Sequence, residues 1–232
     1  MRSVCMATYN GAKYIKEQLD SIIPQLRDDD ELIVSDDASK DDTLKIVKSY
    51  NDPRIKIFHN ENHGVALNFE NAMRHASGDI IYFADQDDVW LPGKLDKMER
   101  FLKEGNYDTV LCNCSLVDAN LNVIKERHYD EKWPMKKSLL RNIINNCWLG
   151  ACMCFTRQVK DACMPFPPKV VAHDLWVSYY AQKHFNCGYL DEVLQLYRRH
   201  ENTVSFTGGK STNSLYFKIS YRAYLAWHLL WA

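Results

Sequence analysis

Ile80-Ile81-Tyr82-Phe83-Ala84-Asp85-Gln86-Asp87-Asp88-Val89-Trp90 is the stretch on which the fold turns. An unbroken apolar run ends in three carboxylates within four residues, and a large aromatic follows. Such a run predicts a strand buried on both faces of a parallel sheet. Ligands of open α/β sheets bind beyond the carboxyl ends of the strands. Carboxylates crowded there repel one another unless something positive lies between them. A hard divalent cation carrying phosphate oxygens meets that need. The plainer alternative is a solvated acidic turn, because short Asp runs are common in loops.

Working outward, strand and helix signals alternate through the first half. Ser3–Ala7, Glu31–Ser35, Arg54–Phe58, Ile80–Ala84 and Asp108–Cys112 read as strands. Between them, Ala12, Ile15, Leu19, Ile22 and Ile23 recur at helical spacing. Val65, Phe69, Ala72, Met73 and Ala76 trace a second helical face, closed by Gly78. Leu91, Leu95, Met98, Phe101 and Leu102 trace a third. A short helix is expected near Thr43–Tyr50, capped by Asp41 or Asp42. Regular alternation of this kind implies right-handed crossovers and a mostly parallel sheet. The second half is less periodic. It offers an edge hairpin over Asn120–Arg127, strands at Trp148–Phe155 and Gly188–Arg198, a helix at Asp174–Phe185, and an aromatic helix over Ser211–Trp231.

The 232 residues carry a net charge of −1, with basic residues scattered rather than clustered. A nucleic-acid partner gripped through bulk positive charge is therefore excluded. The eight cysteines show no metal-finger spacing. They read as reduced, mostly buried thiols of a cytoplasmic protein. No leader-like or membrane-spanning apolar segment is expected.

Two acidic clusters follow strands: Asp36-Asp37 after the second, and the Asp85–Asp88 group after the fourth. Thr8-Tyr9-Asn10 ends the first strand on the same rim. GxGxxG is absent between the first strand and helix, and GxxxxGK[ST] is absent throughout. What remains is a nucleotide site built on carboxylates, although Asp36 and Asp37 also suit a turn with Ser39.

Thr8-Tyr9-Asn10, Asp36-Asp37-Ala38-Ser39, Asn68–Ala72, Gly78–Ile81 and Asp85-Gln86-Asp87-Asp88-Val89-Trp90 occur in order. They are followed by Lys94-Leu95, Leu149–Met153, His173-Asp174-Leu175-Trp176 and Tyr197-Arg198-Arg199-His200. Together they resemble a family 2 glycosyltransferase of the GT-A fold, in the branch containing rhamnosyltransferases of bacterial surface polysaccharide biosynthesis. That resemblance implies an α/β, Rossmann-like fold: a mostly parallel central sheet, helices on both faces and a small antiparallel addition. It implies one domain over 1–205, with a nucleotide-sugar half to 112 and an acceptor half from 113, then a helix over 206–232.

The resemblance implies roles as well. Thr8, Tyr9, Asp36 and, more weakly, Asp37 would line the nucleoside pocket. Asp85 would face the ribose or the metal, Asp87 would hold Mg²⁺ or Mn²⁺, and Asp88 would act from behind them. His200 matches a residue that reaches the metal or diphosphate, and Arg198 or Arg199 would neutralise phosphate charge. Asp174 matches the general base of inverting enzymes, with His173 orienting it or touching the acceptor; read without the family, Asp174 suits a helix N-cap. The donor would be a UDP- or dTDP-linked sugar and the acceptor a glycan or lipid-linked hydroxyl. The aromatic tail helix suits a membrane interface, the domain itself, or a second copy in a homodimer. Two competitors are a non-catalytic nucleotide-binding module and a nucleotidyltransferase; Thr8–Lys13 matches the glycine-rich loop of the latter poorly.

Overall fold

The computed structural model describes residues 1–132, 134–135, 138–144, 146–201 and 214–231. Its first four strands are β1 (Arg2–Thr8), β2 (Glu31–Asp36), β3 (Ile55–His59) and β4 (Ile80–Asp85). Helices α1 (Ile15–Ile22), α2 (Thr43–Ser49) and α3 (Val65–His75) connect them. These strands lie in the order β3-β2-β1-β4, all parallel. Pairing of Thr8 with Asp36 and of Ala7 with Asp85 brings three strand ends level on one rim.

Burial explains why these segments form. β2 is buried at every position, and β4 everywhere but at Asp85, as strands covered on both faces must be. On α1, the buried Ile15, Gln18, Leu19 and Ile22 fall on one helical stripe. Arg2, also buried, opens β1 with its guanidinium 2.5 Å from Asp30 and 2.7 Å from Asp96. Charge is tolerated there because it is paired.

After the acidic loop come β5 (Val89–Trp90), α4 (Lys94–Glu104), β6 (Thr109–Val117) and β7 (Val123–Lys125). Then follow α5 (Leu139–Ile144), β8 (Met153–Thr156), α6 (Arg157–Cys163), α7 (His173–His184), β9 (Cys187–Arg198) and α8 (Leu215–Trp231). The sheet continues from β4 through β8, β6 and β9 to β5. β8 runs antiparallel to both β4 and β6, while β9 runs parallel to β6. This is the antiparallel addition expected in the second half.

Several local expectations shift. β6 continues to Val117, so residues 112 and 113 are consecutive strand residues. The Trp148–Phe155 segment is a strand only from Met153, because Gly150–Cys152 form a 3₁₀ turn. Gly78 does not close α3, which ends at His75. It lets two backbones meet instead: a Cβ there would lie 2.6 Å from the Ser3 nitrogen. Helices α5 and α6 were not anticipated. The boundary near 205 and residues 211–213 of the tail lie outside the described residues.

Candidate active site

The nucleoside side of the rim is built from β1 and β2. Asp36, fully buried, accepts from Thr8 Oγ1 at 2.8 Å, Ser39 N–H at 2.9 Å and Ser39 Oγ at 2.6 Å. Asp37 turns the other way, accepting from Gly64 N–H at 2.8 Å and Asn60 Nδ2 at 3.2 Å, with His63 Nδ1 2.8 Å away. Its carboxylate fastens the loop that feeds α3, a structural task. His63 belongs to that fastening. Tyr9 stands exposed at the rim.

Beyond β4, the three carboxylates of the acidic loop part company. Asp88 is buried, accepting Arg198 N–H at 2.9 Å and Gln195 Nε2 at 3.1 Å. Burial, then Asp87 and Asp85, push its carboxyl well above the usual range. Asp87 keeps partial exposure, and its Oδ2 lies 2.8 Å from His200 Nε2. Asp85 is half-buried, and its carboxyl is pushed up to about 7 by burial and then by Asp87 and Asp174. Asp174 therefore lies close enough for its charge to be felt at the acidic loop, although 89 positions separate it from Asp85 in sequence.

Asp174 occupies the first turn of α7, whose N-cap is Ala172. Its Oδ1 accepts the Leu175 N–H at 2.8 Å, and its carboxylate also receives the Gly150 N–H. Burial nonetheless holds its pKa up to about 6, against those two donors. His173 does not orient it. The imidazole stacks on Phe69 with centroids 3.7 Å apart, meets Phe83 edge-on, and has no hydrogen-bond partner among the described residues. Burial pushes its pKa down to about 3, so the ring is neutral.

Arg198 is not a free phosphate ligand. It is buried, donating through Nε to the Asp87 carbonyl at 2.7 Å and through Nη1 to the Ala119 carbonyl at 2.7 Å. It also pairs with Glu17 and lies over the Tyr14 ring. The guanidinium thus ties the acidic loop, through Asp87, to the turn at Ala119 and to α1 at Glu17. Arg199 donates its N–H to the Val117 carbonyl, closing the same strand end.

Three contributors lay beyond sequence reasoning. Buried Lys94 donates to the Ala151 carbonyl at 2.8 Å and to Gln195, with its ammonium 4.1 Å from the Trp90 ring centroid. Gln195 passes the connection on to Asp88. Gln86 is engaged with the main chain of Tyr9. Lys94 and Gln86 stood inside quoted motifs, but only their partners reveal their work.

Among the described residues no cluster of three or more His, Cys, Asp or Glu side chains forms a ready metal cage. Asp85 and Asp87, with His200 beside them, suit the other way of holding Mg²⁺ or Mn²⁺. There, one or two carboxylates share the ion with substrate phosphates and water. Burial first, and then the charges of Asp87 and Asp174, lift the Asp85 carboxyl, and a cation placed there would offset the second of these.

Comparison with known proteins identifies the family. The chain is 30% identical over 213 residues to UDP-Glc:alpha-D-GlcNAc-diphosphoundecaprenol beta-1,3-glucosyltransferase WfgD of Escherichia coli, covering 88% of this chain and 79% of that protein. It is 31% identical to the GalNAc(5)-diNAcBac-PP-undecaprenol beta-1,3-glucosyltransferase of Campylobacter jejuni, covering 97% of this chain and 71% of the relative. S. aureus TarS 1-349, solved in complex with UDP-GlcNAc, superposes with a TM-score of 0.74 at 25% identity. That match covers 97% of this chain but 66% of the TarS chain. The model of Glycosyl transferase family 2 matches residues 3–161, and the chain belongs to that family.

Proposed function

We propose that this protein is an inverting, cation-dependent glycosyltransferase that moves a hexose from a UDP-linked donor to a hydroxyl of a lipid-linked glycan. The observation that carries the reading is the convergence of Asp85, Asp87 and Asp174, from two distant parts of the chain, at one end of the sheet. The relatives support the donor and acceptor classes. One is named for UDP-Glc and both for undecaprenol diphosphate acceptors, and TarS was solved with UDP-GlcNAc. This favours a UDP-hexose over dTDP-rhamnose. The WfgD name specifies a β-1,3 product, and a β product requires inversion when the sugar is α-linked to UDP in the donor.

The residues divide the work. Thr8 and Asp36, with Tyr9 at the edge, receive the nucleoside, while Asp37 shapes the loop beside it. Asp85, Asp87 and His200 would hold Mg²⁺ or Mn²⁺ beside the diphosphate. Such an ion would supply positive charge to offset the charge that develops on the departing diphosphate. Asp174 takes the acceptor hydroxyl's proton as that oxygen attacks the anomeric carbon from the face opposite the leaving group. A pKa near 6 leaves it ionised at neutral pH yet basic enough to accept a proton. The parallel part, residues 1–112, then serves as donor half and residues 113–205 as acceptor half.

Helix α8 lies beside that acceptor half. Tyr221 accepts the Val171 and Ala172 N–H groups at 3.0 and 3.3 Å, just before α7. Leu225 and Leu229 are buried, while Phe217, Trp227 and Leu230 stay exposed. No helix among the described residues is long and apolar enough to cross a membrane. The exposed aromatic face suits peripheral contact with the surface that carries a lipid-linked acceptor.

Thermal unfolding with UDP, dTDP, UDP-glucose and UDP-N-acetylglucosamine, with and without Mn²⁺, tests the donor. A midpoint raised by a uridine nucleotide and raised further by Mn²⁺ is expected. A chain indifferent to every nucleotide would end the transferase reading.

A further inference from the structure

Gln86 stands between the two carboxylates assigned to the cation, yet its side chain is bound elsewhere. Tyr9 N–H donates to Gln86 Oε1 at 3.0 Å, and Gln86 Nε2 donates to the Tyr9 carbonyl at 3.0 Å. Main-chain pairing of β1 with β4 stops at Ala7 and Asp85. Beyond that point the Gln86 amide takes the place of a peptide group and extends the ladder into the two loops. One amide thus satisfies both polar groups of a peptide at the exposed rim, where water would otherwise compete.

The opposite wall is shaped around this amide. A Cβ on Gly11 would lie 2.1 Å from Gln86 Oε1 and 2.4 Å from its Cδ. Gly11 is held in place by its N–H bond to Thr43 Oγ1 at 2.7 Å. A side chain at Gly11 would occupy the amide's position, and the flexible Gln86 side chain would have to swing out of its bonds to Tyr9. Two separate loops are therefore fitted to one side chain.

We propose that Gln86 is a positioning residue. It locks the Tyr9 loop to the Asp85–Asp87 loop, so that the nucleoside and diphosphate ends of the donor meet sites at one fixed spacing. This rests on the nucleotide-sugar reading above. A ligand with two anchored ends binds best when its two sites are already fixed relative to each other. Loss of the lock should leave each site intact and penalise only ligands that span both.

The test compares the wild type with Gln86→Ala, Gly11→Ala and the double variant. Calorimetric titrations would use UDP with Mn²⁺, uridine alone, and pyrophosphate with Mn²⁺. Loss of two neutral hydrogen bonds predicts UDP affinity about 10-fold weaker in Gln86→Ala. Uridine and pyrophosphate should stay within about 2-fold, and the KM for UDP-glucose should rise more than kcat falls. Gly11→Ala pushes the amide aside and should cost UDP a similar factor. In the double variant the losses should not multiply, because the displaced amide is already gone. Unchanged UDP affinity in Gln86→Ala, or multiplied losses in the double variant, overturns the proposal. Equal losses for uridine, pyrophosphate and UDP also overturn it, as signs of general damage. A wild type that binds neither UDP nor uridine overturns the nucleotide reading instead.

Discussion

The two sides of this site, proposed to take donor and acceptor, are held by different physics. On the donor side, side chains pair with side chains and peptides: Asp36 with Thr8 and Ser39, Gln86 with Tyr9, Asp88 with Gln195 and Arg198. On the acceptor side, Asp174 receives backbone N–H groups from Leu175 and Gly150 and lies beside a stacked, unpaired His173. The first side is specified by polar pairing, which fixes directions. The second is specified by shape and by exclusion of water, which tunes basicity. Asp85 crosses that division: burial, then Asp87 and Asp174, push its carboxyl up to about 7, so desolvation acts on both sides of the site.

The comparison breaks most sharply at Asp174. Asp174→Asn should lower kcat by about 10²–10⁴-fold with donor KM little changed. The folded-state pKa lies above the unfolded one, so this group's contribution to stability is full at low pH and is lost as pH rises through about 6. The Asn variant should therefore keep or raise its unfolding midpoint at pH 8, and a large drop there would count against the desolvated-base account. Asp87→Asn, on the other side, should lose about 10²–10³-fold and abolish the Mn²⁺ response of UDP binding in calorimetry. Metal dependence that survives in this variant would move the cation elsewhere.

A finer probe is the acid limb of the rate profile. With kcat/KM measured from pH 5 to 8, activity should fall about tenfold per unit below about 6, as Asp174 takes up its proton. At saturating Mn²⁺, which would hold Asp85 ionised, the limb should vanish from the residual activity of Asp174→Asn. Gly150→Ala sharpens the acceptor side further. Its methyl would lie 2.6 Å from His173 Nε2 and 3.1 Å from Asp174 Cβ. Overpacking of this kind costs about 1–3 kcal/mol and should shift the limb, leaving UDP affinity unchanged. The smallest effect belongs to Tyr221→Phe, which removes the acceptor of two N–H groups ahead of α7. About 1 kcal/mol of stability should go, read as a lower unfolding midpoint.

The same contrast explains what the sequence made legible. The parallel half announces itself because both faces of β2 and β4 are buried, so Leu32–Val34 and Ile80–Ala84 read as continuous apolar runs. The carboxylates at their ends follow from where strands stop. In the second half, β9 bends through register irregularities beside Asn113, and α5 and α6 are six and seven residues long. Such short elements leave little periodicity to detect. Asp174 could be named through the resemblance, but its proximity to Asp85 depends on chain return across the sheet. Arg198 looked like a phosphate ligand because charge in a sequence carries no sign of its partners. Three separate acceptors of its guanidinium, the Asp87 and Ala119 carbonyls and the Glu17 carboxylate, answer that question.

Strand β9 supplies both the Arg198 side chain that secures the acidic loop and, two residues on, the His200 ring beside Asp87. In a growing polypeptide this segment emerges more than a hundred residues after the loop it completes. A nascent chain stopped short of it carries the three aspartates of that loop without their clasp. On the proposed assignment, competence for the donor would be a late acquisition of synthesis, reached only once the portion proposed to receive the acceptor has also been made.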